Sequence, residues 1–205
     1  MEFVQSHLYP HPQLIVISGP SGVGKDSIID LMKQMQRPYY FCVTATTRAK
    51  RPNEIDGVHY QFLTRETFEQ MLGSGDFLEH AFVYGNWYGV PKPQIRHALA
   101  DGKDVILKVD VQGAATIKRL VPNAVFIFVA PGSIADLAKR LLARKTESTT
   151  DMDLRLKTAE AEMKEVTNFD YLVMNPDGGL DECVSAIEAI ISAERSKVEP
   201  RVIKL

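Results

Sequence analysis

The apolar run Leu14-Ile15-Val16-Ile17 gives way to a polar, glycine-rich break, and then Ile28, Ile29, Leu31, Met32 and Met35 recur at helical spacing. A short buried strand, a loop and an amphipathic helix closed by Pro38 is the order this spells. Similar units follow. Tyr39 to Thr44 reads as a strand, His59 to Phe62 resumes strand character, Thr64 to Leu72 reads as a short helix ending at Gly73, and Phe77 to Val83 as another strand. That strand leads into Tyr84-Gly85-Asn86-Trp87-Tyr88-Gly89. Pro93 to Ala100 has a helical pattern stopped by Gly102, Val105 to Val109 is the next strand, and Ala114 to Leu120 the helix after it. Asn123 marks the turn before a fully apolar strand, Val125 to Val129. Ser133-Ile134-Ala135-Asp136 is a capping box opening a helix through about Arg144. A polar stretch, Lys145 to Thr150, precedes a second helix with a weaker apolar face, Asp151 to Val166. Tyr171 to Met174 is a last strand, Leu180 to Ala193 a closing helix, and Lys197 to Leu205 a loose tail.

Short apolar runs alternating with helices predict an α/β fold with a parallel, buried sheet flanked by helices. At 205 residues the chain supports one substantial core with small insertions, and it shows neither internal repeats nor low-complexity segments.

Composition narrows the classes. Apolar residues make up 45% and charged ones 24%, as in soluble globular proteins, and a net charge of −2 gives no bulk pull toward nucleic acid or an anionic membrane. The longest apolar run, Ala124 to Ala130, is far short of the ~20 residues of a membrane helix, and Met1 to Pro12 lacks the pattern of a signal peptide. Cys42 and Cys183 are too few for a disulfide framework and too isolated for a zinc site, and His7, His11, His59, His80 and His97 show no metal-ligand spacing. A reducing cytoplasm is the expected location.

The chemistry sits in the glycine-rich break, Gly19-Pro20-Ser21-Gly22-Val23-Gly24-Lys25-Asp26-Ser27. The pattern G-x-x-x-x-G-K between a strand and a helix is the phosphate-cradling loop of P-loop NTPases: backbone N–H groups converge on an anion at a helix N-terminus and Lys25 adds a mobile cation. A nucleoside triphosphate is the expected ligand. The eighth position should be Ser or Thr, whose hydroxyl ligates Mg²⁺, and here it is Asp26. Ser27 points about 100° away and does not substitute for it. Asp26 is therefore either a carboxylate ligand for Mg²⁺ or a charge favouring the first helical turn through the helix dipole.

A kinase of this class needs a second site, and an acceptor that is itself a phosphate calls for arginine forks. Arg48 and Arg51 are spaced to converge from one basic turn, and Tyr60 and Tyr88 can add hydroxyl donors to the same anion.

These segments together resemble guanylate kinases. The matches are the loop Gly19 to Lys25, Thr46-Thr47-Arg48 with Arg51 and Glu54, Gly57 with Tyr60 and Phe62, Phe77-Leu78-Glu79, Tyr88-Gly89 and Asp110-Val111-Gln112-Gly113, over roughly residues 14 to 176. The resemblance implies a P-loop three-layer fold with a mostly parallel central sheet, in which Arg48, Arg51, Tyr60 and Tyr88 bind the GMP phosphate and Thr44, Glu79 and Asp110 read the guanine. It also implies a helical lid whose Arg140, Arg144 and Arg155 neutralise the transferring group together with Lys25 and Mg²⁺. The implied partition is a core of about 1–37, 92–132 and 165–205, a GMP-binding region of about 38–91 and a lid of about 133–164. The implied reaction is ATP + GMP giving ADP + GDP, with both mobile regions closing to exclude water.

Two positions depart from the family pattern. Val90 stands where Ser or Thr usually contacts the base, and Lys108 where an acidic residue is common two positions before Asp110. Lys108 either sits near a phosphate or pairs with Asp110. Two rival readings are a ribose 1,5-bisphosphate phosphokinase, which shares Gly24-Lys25-Asp26-Ser27, and a non-catalytic guanylate-kinase-like binding module.

Overall fold

Five parallel strands in the spatial order β2-β7-β1-β8-β9 form the central sheet: β1 is Leu14–Ser18, β2 Tyr39–Phe41, β7 Asp104–Lys108, β8 Val125–Pro131 and β9 Tyr171–Asn175. A computed structural model describes residues 11–52, 54–83, 85–143 and 149–205, the side chains of residues 142, 143 and 149–155 excepted. Every residue of β1 and β8 is buried, which is why these strands read as continuous apolar runs rather than as alternations. Their side chains divide between two cores. Ile15, Ile17, Ile127 and Val129 face α1 (Lys25–Gln34) and α7 (Leu180–Arg195), where Ile28, Met32, Val184, Ile187 and Ile191 complete one cluster. Leu14, Val16, Leu107 and Phe126 face α3 (Lys92–Ala100) and α4 (Val111–Leu120), where Ile95, Ala98, Ala114 and Ile117 complete the other. Fully burying each such aliphatic or aromatic side chain is worth about 1.5–3 kcal/mol, so the two-sided sheet is the main source of stability.

A second sheet of order β4-β3-β6-β5 joins β3 (Ala45–Thr46), β4 (Gln61–Phe62), β5 (Phe77–Val83) and β6 (Asn86–Pro91), with α2 (Arg65–Gly73) packed on it. Phe68 of α2 stacks on Phe77 at 4.3 Å between ring centroids and on Trp87 at 5.8 Å. β6 is a full strand antiparallel to β5, over a segment that the sequence assigned to no element. Gly89 is needed inside it, because a Cβ there would lie 2.6 Å from the Phe77 ring.

β2 is shorter than expected and belongs to the central sheet, although it falls within residues 38–91. The strand stops because the Gln94 amide takes over the next peptide, accepting from Val43 N–H at 3.0 Å and donating to Val43 O at 3.1 Å. α4 starts three residues before the expected Ala114, since the Asp110 carboxylate accepts from Gly113 N–H at 2.7 Å and caps it. α5 (Ile134–Ala143) is capped as its sequence demands, with Ser133 Oγ accepting from Asp136 N–H at 3.0 Å. α6 (Thr149–Met163) continues as a 3₁₀ helix, Lys164–Asn168. Among the described residues no helix is long and apolar enough to cross a membrane.

The expected loose tail is instead tied down, a correction that comes from one buried charge. Glu194 is 1% exposed and gathers Lys197 Nζ at 2.7 Å, Arg201 Nε at 2.9 Å and the Tyr171 hydroxyl. Arg201 also donates to Ala124 O at 2.9 Å and Asp170 Oδ2 at 3.1 Å, and Ile203 and Leu205 pack on the α3/α4 side of the core. A buried carboxylate needs such partners, and here they hold the last residues to the sheet. Arg201→Ala should therefore lower the free energy of unfolding by about 2–3 kcal/mol, because Lys197 and Tyr171 offset only part of the desolvated charge. A shift in the urea midpoint at unchanged m would show it, whereas a tail that contributes nothing would move stability by less than about 0.5 kcal/mol.

Candidate active site

The pairing of β1 with β7 sets the site, because both strands end at the same edge and each delivers a functional loop there. After Ser18 the chain turns through Gly19, whose φ of +147° and whose missing Cβ are both required: an added Cβ would lie 2.2 Å from Val129 O. The turn wraps the Lys25 ammonium, which donates to Gly19 O at 2.5 Å and Pro20 O at 3.1 Å. Burial pushes Lys25 down to about 8, a shift opposed by the nearby carboxylates of Glu162, Asp110 and Asp26.

The loop is braced from behind. Val23 is fully buried, and its carbonyl accepts from Arg140 Nη1 at 3.0 Å and Asn175 Nδ2 at 2.8 Å. Arg140, expected over the transferring group, instead lies at the back of the loop, 3.9 Å from Asp177 Oδ1. Ser27 is exposed on α1 and lines neither of the cavities described below. Arg144 lies outside the described residues, and Arg155 lies on α6 with its side chain outside them.

From α6, Glu162 reaches the loop and its Oε2 accepts from Ser21 N–H at 3.2 Å. Burial raises its pKa, opposed by that N–H and by the Lys25 charge. A carboxylate is thus already seated where the backbone favours an anion. Glu162 and Asn175 had no signal in the sequence, since they meet the loop from 141 and 152 residues away.

A cavity of about 380 Å³ runs from the loop to the second sheet. Ser21, Gly22, Gly24 and Lys25 line it together with Thr44, Glu79, Val90 and Asp110. Burial lifts the Glu79 carboxyl to about 7, and the neighbouring Asp110 charge adds to the shift. Asp110 both caps α4 and faces the cavity, so capping the helix does not withdraw it from the site.

An adjoining cavity of about 280 Å³ carries Arg48, Arg51 and Glu54. Arg48 is held by Glu54 in a two-pronged pair, Nη2 to Oε1 at 2.6 Å and Nη1 to Oε2 at 3.0 Å, and its guanidinium lies 5.4 Å from the Tyr60 ring and 5.7 Å from that of Phe62. That pair holds Glu54 down at about 2. Arg51 N–H donates to the same Glu54 carboxylate at 2.8 Å. Glu54, matched in the sequence but given no role there, is the side chain that aims the basic turn.

Tyr60, Tyr88, Asp26 and Lys108 line both cavities and form their common wall. Lys108, at the end of β7, ion-pairs with Asp26 rather than with Asp110. The cause is register: Ile17 stands beside Lys108 in the sheet, so the Lys108 side chain leaves β7 next to the first turn of α1. Among the described residues no group of three His, Cys, Asp or Glu side chains converges as a metal site. The Asp26 carboxylate, the expected Mg²⁺ ligand, thus already holds a cation in the Lys108 ammonium.

The comparisons with known proteins agree in direction with this geometry. A sequence model of the family described as guanylate kinase matches residues 11–194. The chain is 46% identical over 197 residues to a guanylate kinase 2, chloroplastic/mitochondrial, of Oryza sativa subsp. japonica, covering 96% of this chain and 69% of that protein. It is 43% identical over 184 residues to a guanylate kinase of Carboxydothermus hydrogenoformans, covering 90% and 89% of the two chains. A crystal structure of guanylate kinase from Anaplasma phagocytophilum superposes with a TM-score of 0.72 at 30% identity, covering 93% of this chain and 90% of that one. With a phosphate-binding loop and the Glu79 and Asp110 carboxylates lining one cavity and the family match running through both, the chain belongs to the guanylate kinase family.

Proposed function

We propose that the protein transfers the γ-phosphoryl group of ATP to the phosphate of GMP, giving ADP and GDP. The observation that carries this reading is one cavity lined by the phosphate loop and Lys25 and by the Glu79 and Asp110 carboxylates, beside a pocket holding Arg48 and Arg51. Guanine presents N1–H and the N2 amine side by side, and a carboxylate accepts both, whereas adenine offers a bare N1 acceptor that Glu79 repels. Thr44 and Asp110 complete the base site, and Arg48, Arg51, Tyr60 and Tyr88 grip the GMP phosphate. In the ATP site, Gly19 and Ser21 to Asp26 supply backbone donors and Lys25 the charge.

Mg²⁺ enters as the ion that accompanies ATP, bound through phosphate oxygens. The chain's own part is to hold two polyanions in line, compensate their charge and exclude water. We assign residues 42–91 to acceptor binding and 133–164 to the lid, where Arg144 and Arg155 add to the positive charge over the transferring group. The cytoplasm is the proposed compartment, in keeping with the free thiols of Cys42 and Cys183.

A ribose bisphosphate kinase would leave the Glu79 and Asp110 carboxylates without a donor to read, and a binding module would not need Lys25 coiled in its loop. A coupled assay of ADP release with GMP, AMP and ribose 1,5-bisphosphate tests all three readings, with GMP alone expected to support turnover. Glu79→Gln should reduce kcat/KM for GMP by about 1–3 kcal/mol of transition-state stabilisation, since one acceptor of the pair becomes a donor. Unchanged kinetics would remove Glu79 from the base site.

The raised pKa of Glu79 adds a pH signature. Reading guanine needs the charged carboxylate, while in the free protein the group titrates near 7. kcat/KM for GMP should be level at high pH and fall about tenfold per pH unit well below 7, because kcat/KM reports the free enzyme. Glu79→Gln should lose that limb, apart from the ionisation of the GMP phosphate itself. The stability linkage has the opposite sense: with the folded pKa raised from 4.5 to about 7, the contribution is complete below pH 4.5 and lost as pH rises through about 7. GMP, by favouring the charged form, should therefore raise the melting temperature more at pH 8 than at pH 6.

A further inference from the structure

Lys108 occupies the point where the proposed reaction must happen. It lines the cavity that contains the phosphate loop and also the cavity that contains Arg48 and Arg51, so a donor phosphate in one and an acceptor phosphate in the other meet across it. Its backbone is fixed as the last residue of β7, paired with Ile17 of β1. The Lys108 side chain is 32% exposed, against 64% for its Asp26 partner. An incoming phosphate can therefore draw the ammonium away from Asp26 while water solvates the carboxylate left behind, an exchange that a buried pair would resist.

Among the described residues, three other cations near the site already have partners. The Lys25 ammonium is folded into its own loop, Arg140 braces the loop from behind, and Arg48 is clamped by Glu54 on the acceptor side. Asp26 unpaired would place a negative charge beside the triphosphate. Paired, it becomes the group that keeps Lys108 aimed at the wall.

We propose that Lys108 is a catalytic cation of the transfer, contacting the phosphoryl group in flight, and that Asp26 is the positioning residue that holds its ammonium there rather than a ligand of Mg²⁺. The proposal rests on the ATP:GMP reading above. In that step the bond from the γ-phosphorus to the bridging oxygen breaks, its electron pair leaving with ADP, as a GMP phosphate oxygen bonds to the same phosphorus. Charge is spread over the three equatorial oxygens, and Lys108 donates N–H groups to one of them. It takes no part in proton transfer.

The test compares wild type with Lys108→Met, Lys108→Gln, Lys108→Arg and Asp26→Asn. Readouts are kcat and KM for both substrates, GMP and ADP affinities by calorimetry, the Mg²⁺ dependence of ADP binding, and melting temperature. Lys108→Met and Lys108→Gln should each lower kcat by about 10- to 100-fold with GMP and ADP affinities within about threefold of wild type, while Lys108→Arg recovers to within about fivefold. Asp26→Asn should lower kcat by about 3- to 10-fold and leave the Mg²⁺ concentration for half-maximal ADP binding within about twofold. Wild-type kcat in the two neutral variants overturns the role of Lys108, and so does a loss of kcat that follows nucleotide affinity and melting temperature down in both. A rise of about tenfold or more in the Mg²⁺ requirement of Asp26→Asn overturns the positioning role and returns Asp26 to the metal. Wild type that releases no ADP with GMP overturns the functional reading itself, whereas active wild type with unaffected variants overturns this inference alone.

Discussion

The parallel pairing of β1 with β7 is the constraint on which the site depends. It places the phosphate loop after Ser18 and the segment Lys108 to Asp110 at one edge of the sheet, with Val109 N–H donating to Ile17 O at 3.3 Å where the strands part. From there the backbone determines much of the rest. Asp110 caps α4 and faces the cavity, Lys108 reaches α1, and Gly19 passes under Val129 O with no room for a side chain. Ligand sites at the carboxyl ends of parallel strands are general to open α/β sheets, since helix N-termini and loops converge there. Here the same edge also meets the second sheet, so recognition of the acceptor and binding of the donor share one rigid support.

Holding several cations close together is costly unless each has an anion, and the protein supplies one for most of them. Arg48 has Glu54, Lys108 has Asp26, Arg140 has Asp177, and the Lys25 ammonium has loop carbonyls with Glu162 nearby. Substrate phosphates then replace or join existing partners rather than meeting bare charge, so binding free energy is a difference between two satisfied states. The pairs also differ in kind. Arg48–Glu54 is two-pronged, with both side chains about 15% exposed, and acts as preorganisation. Lys108–Asp26 is single-pronged and open to water, which suits a partner exchange.

The sequence exposes what local chemistry determines. The strands β1 and β8, the phosphate loop and the α5 capping box were legible because an apolar run, a glycine spacing or a Ser-x-x-Asp pattern carries each signal within a few residues. β3 and β6 were not, because a strand of two residues has no periodicity and β6 is interrupted by Gly89, whose necessity appears only when Phe77 packs across it. The tail read as loose because its restraint is Glu194, a charge that looks solvated in a helix of unknown neighbours. The base-reading and arginine positions came through family resemblance. Their partners, Glu54 for Arg48 and Asp26 for Lys108, required the fold to bring them together. Asp26 and Lys108 each looked anomalous alone, and only the β1–β7 register shows that the two departures from pattern compensate each other.

Val90 can be read in the same way. It lies opposite Glu79 in the β5–β6 ladder, is 2% exposed and packs into the cluster of Leu78 and Ile95. Opposed residues of an antiparallel pair share a face, so a hydroxyl at position 90 would stand beside the Glu79 carboxylate as well as beside the base. With valine there, the carboxylate loses a potential polar neighbour, and burial is the first cause of its raised pKa. The missing hydrogen bond to guanine, about 0.5–1.5 kcal/mol, is therefore only part of the effect. An apolar position 90 also makes the ionised Glu79 dearer in the empty site, so that the guanine N1–H and N2 donors relieve more strain when they arrive. The trade should weaken GMP binding near neutral pH yet sharpen discrimination, because adenine would bring an acceptor where the site offers the charge the least alternative solvation.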